Sequence, residues 1–512
     1  MEKIKNKYIL LLFFVIVWMF WAFYAPAMLN YQEETQLFLF DSEQFMERIA
    51  MPAGIARYVA EFLVQFYYNA IVGGAIIATI LCAMQLIMWQ IVRRTCKMPD
   101  ICFALGFVPS ILLWYYQGEI RVKLTFTIAL LMTEIAMLGA TLLQQKKWYY
   151  DTYLILATPI LAWIAGPVVM TFGLFIAITA FTKPKNRLML AMAAYAPMCI
   201  FISSFFALAP LDRLFWGIGY TMDVDHIYVW QIAIIIVFAI TPYCLNLIPQ
   251  ITNVKTAINI KKSSLVLLLV MMALVSFKCI NKDEYEVLEY DALVRAEKWD
   301  AIISKAEKKT PNTPLTVASL NLALAIKGQL MERGFDFFQN GWAGVFPRCD
   351  MTSEISIMTA EIYFHLGLIN TAQRLDFDSM EALADNAKSV RAIKRLAETN
   401  LINGQYDVAR KYLKLLKETM FYASWADCTM KLLDNEKAIN NHPLYGHLRK
   451  LRLTEDFLFS DDQIDKIMGQ LFMRNTENTL AMQYLLFLPK LEGNEQKYMM
   501  YLNYVNKKTQ KK

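Results

Sequence analysis

"TYLILATPILAWIAGPVVMTFGLFIAITAFT", residues 152–182, carries no charge along its whole length, and the way it is threaded decides the fold. As one helix it would run about 46 Å at about 1.5 Å per residue. Crossing a core of about 30 Å would then demand a tilt near 50°, beyond the roughly 40° that spanning helices reach. Gly166 and Pro167 stand at its middle, a pair that breaks helices and marks turns. The stretch is therefore expected to form two short spans in a tight hairpin, with Trp148, Tyr149 and Tyr150 as interfacial residues.

Further apolar runs lie near 8–28, 66–92, 100–116, 122–143, 187–209, 228–249 and 264–280, close to the roughly 20 residues that a span needs. With the hairpin they make about nine spans. The basic clusters Lys3/Lys5/Lys7, Arg93/Arg94/Lys97, Lys146/Lys147, Lys183/Lys185/Arg187 and Lys255/Lys261/Lys262 then share one side. The acid-bearing loops 29–65, 116–121 and 210–227 take the other, with everything after residue 280. A single span at 152–182 would turn the last two basic clusters outward, against the positive-inside bias. The N-terminus is therefore expected inside and the C-terminus outside. Residues 8–29 are uncharged, longer than a signal-peptide core and without a small-x-small cleavage site, so they read as a retained anchor.

Composition divides the chain at the same place. Of its 512 residues 57% are hydrophobic and 19% charged. Residues 1–280 carry 20 Lys/Arg against 14 Asp/Glu and residues 281–512 carry 31 against 31, so the net +6 sits wholly in the apolar part. An excess beside apolar runs is topology rather than a nucleic-acid footprint. The expected architecture is all-α: a transmembrane domain, 1–280, with an amphipathic first outer loop at 29–65, and a soluble helical repeat domain, 281–512. Eight scattered cysteines without a CxxC pair give neither a disulfide framework nor a zinc set. Phosphate-cradling glycine motifs, HExxH and GxSxG do not occur.

Beyond residue 280 the apolar residues recur at helical spacing. "AEIYFHLGLINTAQRL" (360–375) and "AETNLINGQYDVARKYL" (397–413) each place Gly five residues before Ala, and "YDALVRAEKWDAIISKAEKKTPNTP" (290–314) has Trp299 and the Pro-closed second helix of the same pattern. These resemble tetratricopeptide repeats, which implies stacked helix pairs with a surface for a protein partner; a generic helical bundle is the alternative. "FFQNGWAGVFPR" (337–348) reads as an aromatic loop, packed on neighbouring repeats or folded onto the membrane half.

Chemistry is sought at the loops. From Asp41, a plausible N-cap, Phe45, Met46, Ile49 and Ala50 share one face. Ile55, Tyr58, Val59, Phe62, Leu63 and Phe66 repeat at helical spacing after the "MPAG" break. These are amphipathic surface helices whose apolar faces touch lipid, while Glu33, Glu34, Asp41, Glu43 and Glu47 project toward water or a cavity. Glu33 and Glu34 follow the first span most closely. The second outer loop, "YYQGEIRVK" (115–123), sets Glu119, Arg121 and Lys123 at the same mouth, either as groups of a site or as a turn-stabilising pair. Asp223, Asp225 and His226 are three metal-type ligands in four residues, or an ordinary polar loop. Glu134 lies mid-span in "LTFTIALLMTEIAMLGATLL", an expensive place for an acid, as a proton relay or as a hydrogen-bonded carboxyl inside the bundle.

The layout of residues 1–280 resembles the GT-C class of membrane glycosyltransferases: an inward-to-outward first helix, a long first outer loop with amphipathic helices and an acidic pair, and a second acidic outer loop. That resemblance implies a polyprenyl-phosphate sugar donor with its phosphate on Arg121 and Lys123. Glu33 or Glu34 would act as general base, with Glu119 orienting the acceptor or sharing a divalent cation. The class usually has aspartate where this chain has Glu33 and Glu34. "MPAGIARYVAEFLVQFYYNAIVGGAI" and "NLALAIKGQL" also resemble a family of bacterial multi-pass membrane proteins known as a domain of unknown function, which implies the cytoplasmic (inner) membrane. Three readings follow: a membrane glycosyltransferase; an envelope scaffold anchored in the bilayer whose repeats bind a partner; and a transporter or flippase, which should show a polar path through Glu134.

Overall fold

The computed structural model describes residues 2–96, 102–182, 187–207, 209–223, 229–249, 253–347, 352–453 and 464–509. Among them there is no strand, only one isolated antiparallel bridge between Val122 and Thr221. The chain divides into two compact units, Met1–Asn281 and Lys282–Lys512.

Unit 1 begins with α1, Glu2–Met19, continued by a π-turn at Phe20–Tyr24. Ala25 leaves helical geometry, and Pro26 starts the short α2, Pro26–Glu34, because proline at the first helical position gives up no needed N–H. Two helices follow in the first connection, α3 (Ser42–Ile49) and α4 (Gly54–Val64), and then α5 (Ala70–Thr95). Asn69 caps α5, its side chain accepting from the Ile71 N–H at 3.0 Å. After α6 (Val108–Gln117) come α7 (Leu124–Leu143), α8 (Lys147–Ile164), α9 (Val169–Thr182), α10 (Arg187–Ser203), α11 (Leu211–Trp216), α12 (Val229–Asn246) and α13 (Val254–Lys278).

Among the described residues, five stretches are long and apolar enough to cross a membrane: Asn6–Tyr24, Ala70–Thr95, Leu124–Leu143, Val229–Asn246 and Lys255–Lys278. Residues 152–182 belong to two helices, α8 and α9, joined by a 3-10 turn at Gly166–Val168. Gly166 has φ +74°, and a Cβ there would lie 2.9 Å from the Ala53 Cβ, so both handedness and space favour glycine. Within the run 100–116 the described residues hold a 3-10 turn at Leu105–Phe107 followed by the helix Val108–Gln117, whose ten residues measure about 15 Å. Leu154, Phe172, Phe175, Met192 and Ala239 form the core between α8, α9, α10 and α12.

Unit 2 continues with α14 (Lys282–Arg295), α15 (Trp299–Lys308), α16 (Pro314–Ile326), α17 (Leu330–Arg333), α18 (Ser353–His365), α19 (Ile369–Glu381), α20 (Val390–Asn403), α21 (Tyr406–Lys417), α22 (Ala423–Met430), α23 (Glu436–Asn441), α24 (Pro443–Leu451), α25 (Ile464–Arg474), α26 (Thr479–Leu491) and α27 (Glu495–Thr509). Helices α18 and α19 pack as a pair, as do α20 and α21. Gly367 (φ +83°) and Gly404 (φ +79°) terminate the first helix of each pair, the left-handed ending that glycine allows. Ala372 and Ala409, five residues on, are fully buried where the second helix crosses the first.

The stack also closes on itself. The Gln483 amide on α26 donates to Ala325 O at 2.8 Å, and its carbonyl accepts from the Leu330 N–H at 3.2 Å. The aromatic loop packs within this unit. Asn321 donates to Gly344 O at 2.8 Å, Phe346 stacks on Tyr363 at 5.9 Å, and the Trp342 indole donates to Glu492 at 2.8 Å.

Candidate functional site

The π-turn and Pro26 turn the chain out of α1 so that α2 lies against the second connection, residues 118–123 between α6 and α7. The Gln32 amide on α2 donates to two carbonyls of that connection, Ile120 O at 2.7 Å and Val122 O at 3.0 Å. The connection that follows α11 and carries Tyr220, the third, pairs with the second, the Lys123 N–H donating to Tyr220 O and the Met222 N–H to Arg121 O, both at 2.9 Å. The α8–α9 hairpin joins them: the Tyr220 hydroxyl donates to Ala165 O, the Ala53 N–H to Trp163 O at 2.8 Å, and the Trp163 indole to Ile49 O at 3.0 Å. Four connections, distant in sequence, are thus tied into one layer at one end of the unit.

Most of the expected residues lie in or beside this layer. Arg121 stands 3.5 Å from Glu119 and 3.9 Å from Asp223, with all three side chains about one-third exposed. Glu33 and Glu34, next to Gln32, are buried, and Lys123 is buried as well. Asp41 is half-buried, while Glu43 and Glu47 are exposed. Asp225 and His226 lie outside the described residues, as do Lys97, Lys183, Lys185 and Cys349. No group of three or more metal-type side chains occurs among the described residues. Behind the layer, Trp21, Gln32, Gln117 and Val122 line a cavity of about 20 Å³, enough for one water. Glu134 does not join the group. It is buried on α7, with neither carboxylate oxygen hydrogen-bonded among the described residues, and ten residues from Leu124 set it about 15 Å along the helix.

The sequence reading passed over a second ionic group in the first connection. Glu61 on α4 accepts from Arg57 Nε at 2.7 Å and from Arg48 Nε at 2.9 Å, and all three are buried. Burial alone would raise the Glu61 carboxyl, but the guanidiniums of Arg57 and Arg48 outweigh it and hold it below its ordinary value. Arg57 runs beneath the third connection, where a Cβ on Gly219 would sit 2.8 Å from its Cδ. The outward faces carry Phe40, Phe45, Met46 and Ile55, all exposed. The available signal was Arg57 and Glu61 at i,i+4, opposite the apolar stripe of α4.

Unit 2 holds a larger ionic group. Arg391 grips Asp291 with two bonds of 2.8 Å and lies 3.5 Å from Glu361. Arg395 bonds Glu361, lies 2.6 Å from Glu398 and covers the Phe364 ring at 3.6 Å. Against the rise that burial would give, Arg395, His365 and Arg391 hold the Glu361 carboxyl well below the usual range. His365, with Nε2 3.5 Å from Glu361, links this group to a cavity of about 370 Å³ that includes Trp299, Leu448 and Glu477 in its wall.

These features define an all-helical protein with several apolar helices that could cross a membrane and a second helical unit. The chain belongs to the Family of unknown function (DUF6057), whose profile matches residues 2–512. No curated protein and no solved structure matches it.

Proposed function

We propose that unit 1 is a membrane glycosyltransferase of GT-C type, moving a sugar from a polyprenyl-phosphate donor to a hydroxyl acceptor at the end of the bundle where its connections meet. The observation that carries this reading is the layer itself: Gln32, beside Glu33 and Glu34, is bonded to the connection that bears Glu119, Arg121 and Lys123, which in turn pairs with the one bearing Asp223. The outward apolar side chains of α3 and α4 would meet the lipid on which such a donor lies.

Arg121 and Lys123 hold the donor phosphate. Glu33 or Glu34 takes the proton of the acceptor hydroxyl as its oxygen attacks the anomeric carbon. The bond from that carbon to the phosphate oxygen breaks, polyprenyl phosphate leaves, and the centre inverts. Glu119 orients the acceptor or shares a divalent cation. In this reading nine spans place the N-terminus in the cytoplasm and unit 2, built of tetratricopeptide-like pairs, outside the bacterial inner membrane. Replacing Glu33 and Glu34 separately by Gln tests it: the essential one should lower transfer by about 10²–10⁴-fold. Unchanged envelope glycans in both variants, at normal protein level, overturn it. One observation favours a second reading, an anchored scaffold: a cavity of about 370 Å³ lies in unit 2.

A further inference from the structure

The unit 2 cavity has a wall of distinct chemistry. Its volume of about 370 Å³ falls in the range of about 300–1,000 Å³ that ligand sites occupy. Leu448 and Leu451 make a buried apolar floor, and Trp299 stands edge-to-face with His365, ring centres 5.1 Å apart. That histidine is braced from behind by Glu361 and its arginines, so this side of the wall is fixed before anything binds. Glu297 stands on the exposed rim, and among the described residues no lysine or arginine belongs to the wall. His447, the other titratable group there, is held below its ordinary value by burial and by neighbouring Lys450, so it adds no positive charge at neutral pH.

An apolar floor under an acidic rim fits a ligand that is apolar in body and cationic at its edge. The exposed rim leaves room for a chain to pass across it. We propose that this cavity receives a segment of a partner polypeptide in which a leucine-like side chain is flanked by lysine or arginine, with the apolar side chain on Leu444 and Trp299 and the cation beside Glu297. This inference does not depend on the chemistry proposed for unit 1.

The test uses the full-length protein in lipid nanodiscs, with empty nanodiscs subtracted. Fluorescence anisotropy compares a labelled peptide alternating leucine and lysine with its leucine–glutamate counterpart, and spermidine serves as the free-amine competitor. The lysine peptide should bind at least tenfold more tightly. Glu297→Lys should weaken it at least fivefold, and Leu444→Arg, which pushes a cation into the wall, should abolish saturable binding. Equal binding of the two peptides by the parent protein overturns the proposal whether or not the variants fold. Two folded variants that bind like the parent also overturn it, and displacement by spermidine at equal concentration replaces the polypeptide with a small amine. A Glu33→Gln protein that has lost transfer but still binds the peptide separates this inference from the enzymatic one.

Discussion

Helices α4 and α21 are both short and amphipathic, yet they turn opposite faces inward. On α21, Ala409, Leu413 and Leu416 are buried while Lys411, Lys414 and Lys417 are exposed, the arrangement of any helix in water. On α4 the buried set includes Arg57 and Glu61, and Ile55 is exposed. An apolar side chain turned outward over a buried ion pair is favourable where the surroundings are less polar than the interior it covers, so under the function proposed above the two faces would meet two different solvents. Unit 2 also buries ions between its helices, with Asp291 on α14, Glu361 on α18 and Arg391 on α20.

That buried group gives the largest expected effect. Arg391→Leu removes the two-bond partner of Asp291 and one of the cations beside Glu361. Leaving buried carboxylates short of a partner costs about 3–5 kcal/mol. Hydrogen exchange of the full-length protein should show that loss in residues 353–365 and 390–403, with residues 70–95 unchanged. A loss of the same size in residues 70–95 would break the distinction between the two units.

Parts of this comparison could be read from the sequence and parts could not. Gly166 and Pro167 mark the break between α8 and α9 because their effect is local, set by the backbone of two residues. The stripe Ile55, Tyr58, Val59 and Phe62 marks α4 for the same reason. Asp291 and Arg391 are a hundred residues apart, and no local pattern pairs them. The layer that brings Gln32 to Ile120 and Lys123 to Tyr220 is likewise a product of tertiary folding. Charge patterning directed attention to the acids after the first span, so Arg48, Arg57 and Glu61, read as members of a surface helix, were not seen as a group.

Acid sharpens the contrast within unit 2. The folded pKa of Glu361 is lowered, so its stabilisation is complete above the unfolded value of about 4.3 and is lost as pH falls through the folded value. Glu361→Gln should weaken the parent at neutral pH and flatten its decline below about pH 4.3, followed by chemical unfolding at a series of pH values. Parallel curves for the two proteins would mean that other carboxylates set the acid limit.

The smallest effect isolates the difference between the two helices, because one substitution is made on both outward faces. Ile55 and Val408 are exposed to nearly the same degree, 36% and 39%. In water, a change to glutamate at such a position stays within about 0.5 kcal/mol, which is the expectation for Val408→Glu. At a lipid interface the same carboxylate must be drawn from water toward hydrocarbon, a depth-dependent penalty of up to about 1 kcal/mol near the surface. Ile55→Glu should therefore lower the unfolding midpoint in nanodiscs while Val408→Glu does not, and transfer to a detergent with a more polar surface should shrink the gap. If both substitutions were equally silent in lipid, the outward side chains of α4 would be facing water. The buried Arg48–Glu61–Arg57 group would then be an ordinary ionic core rather than the inner face of a helix seated at a membrane.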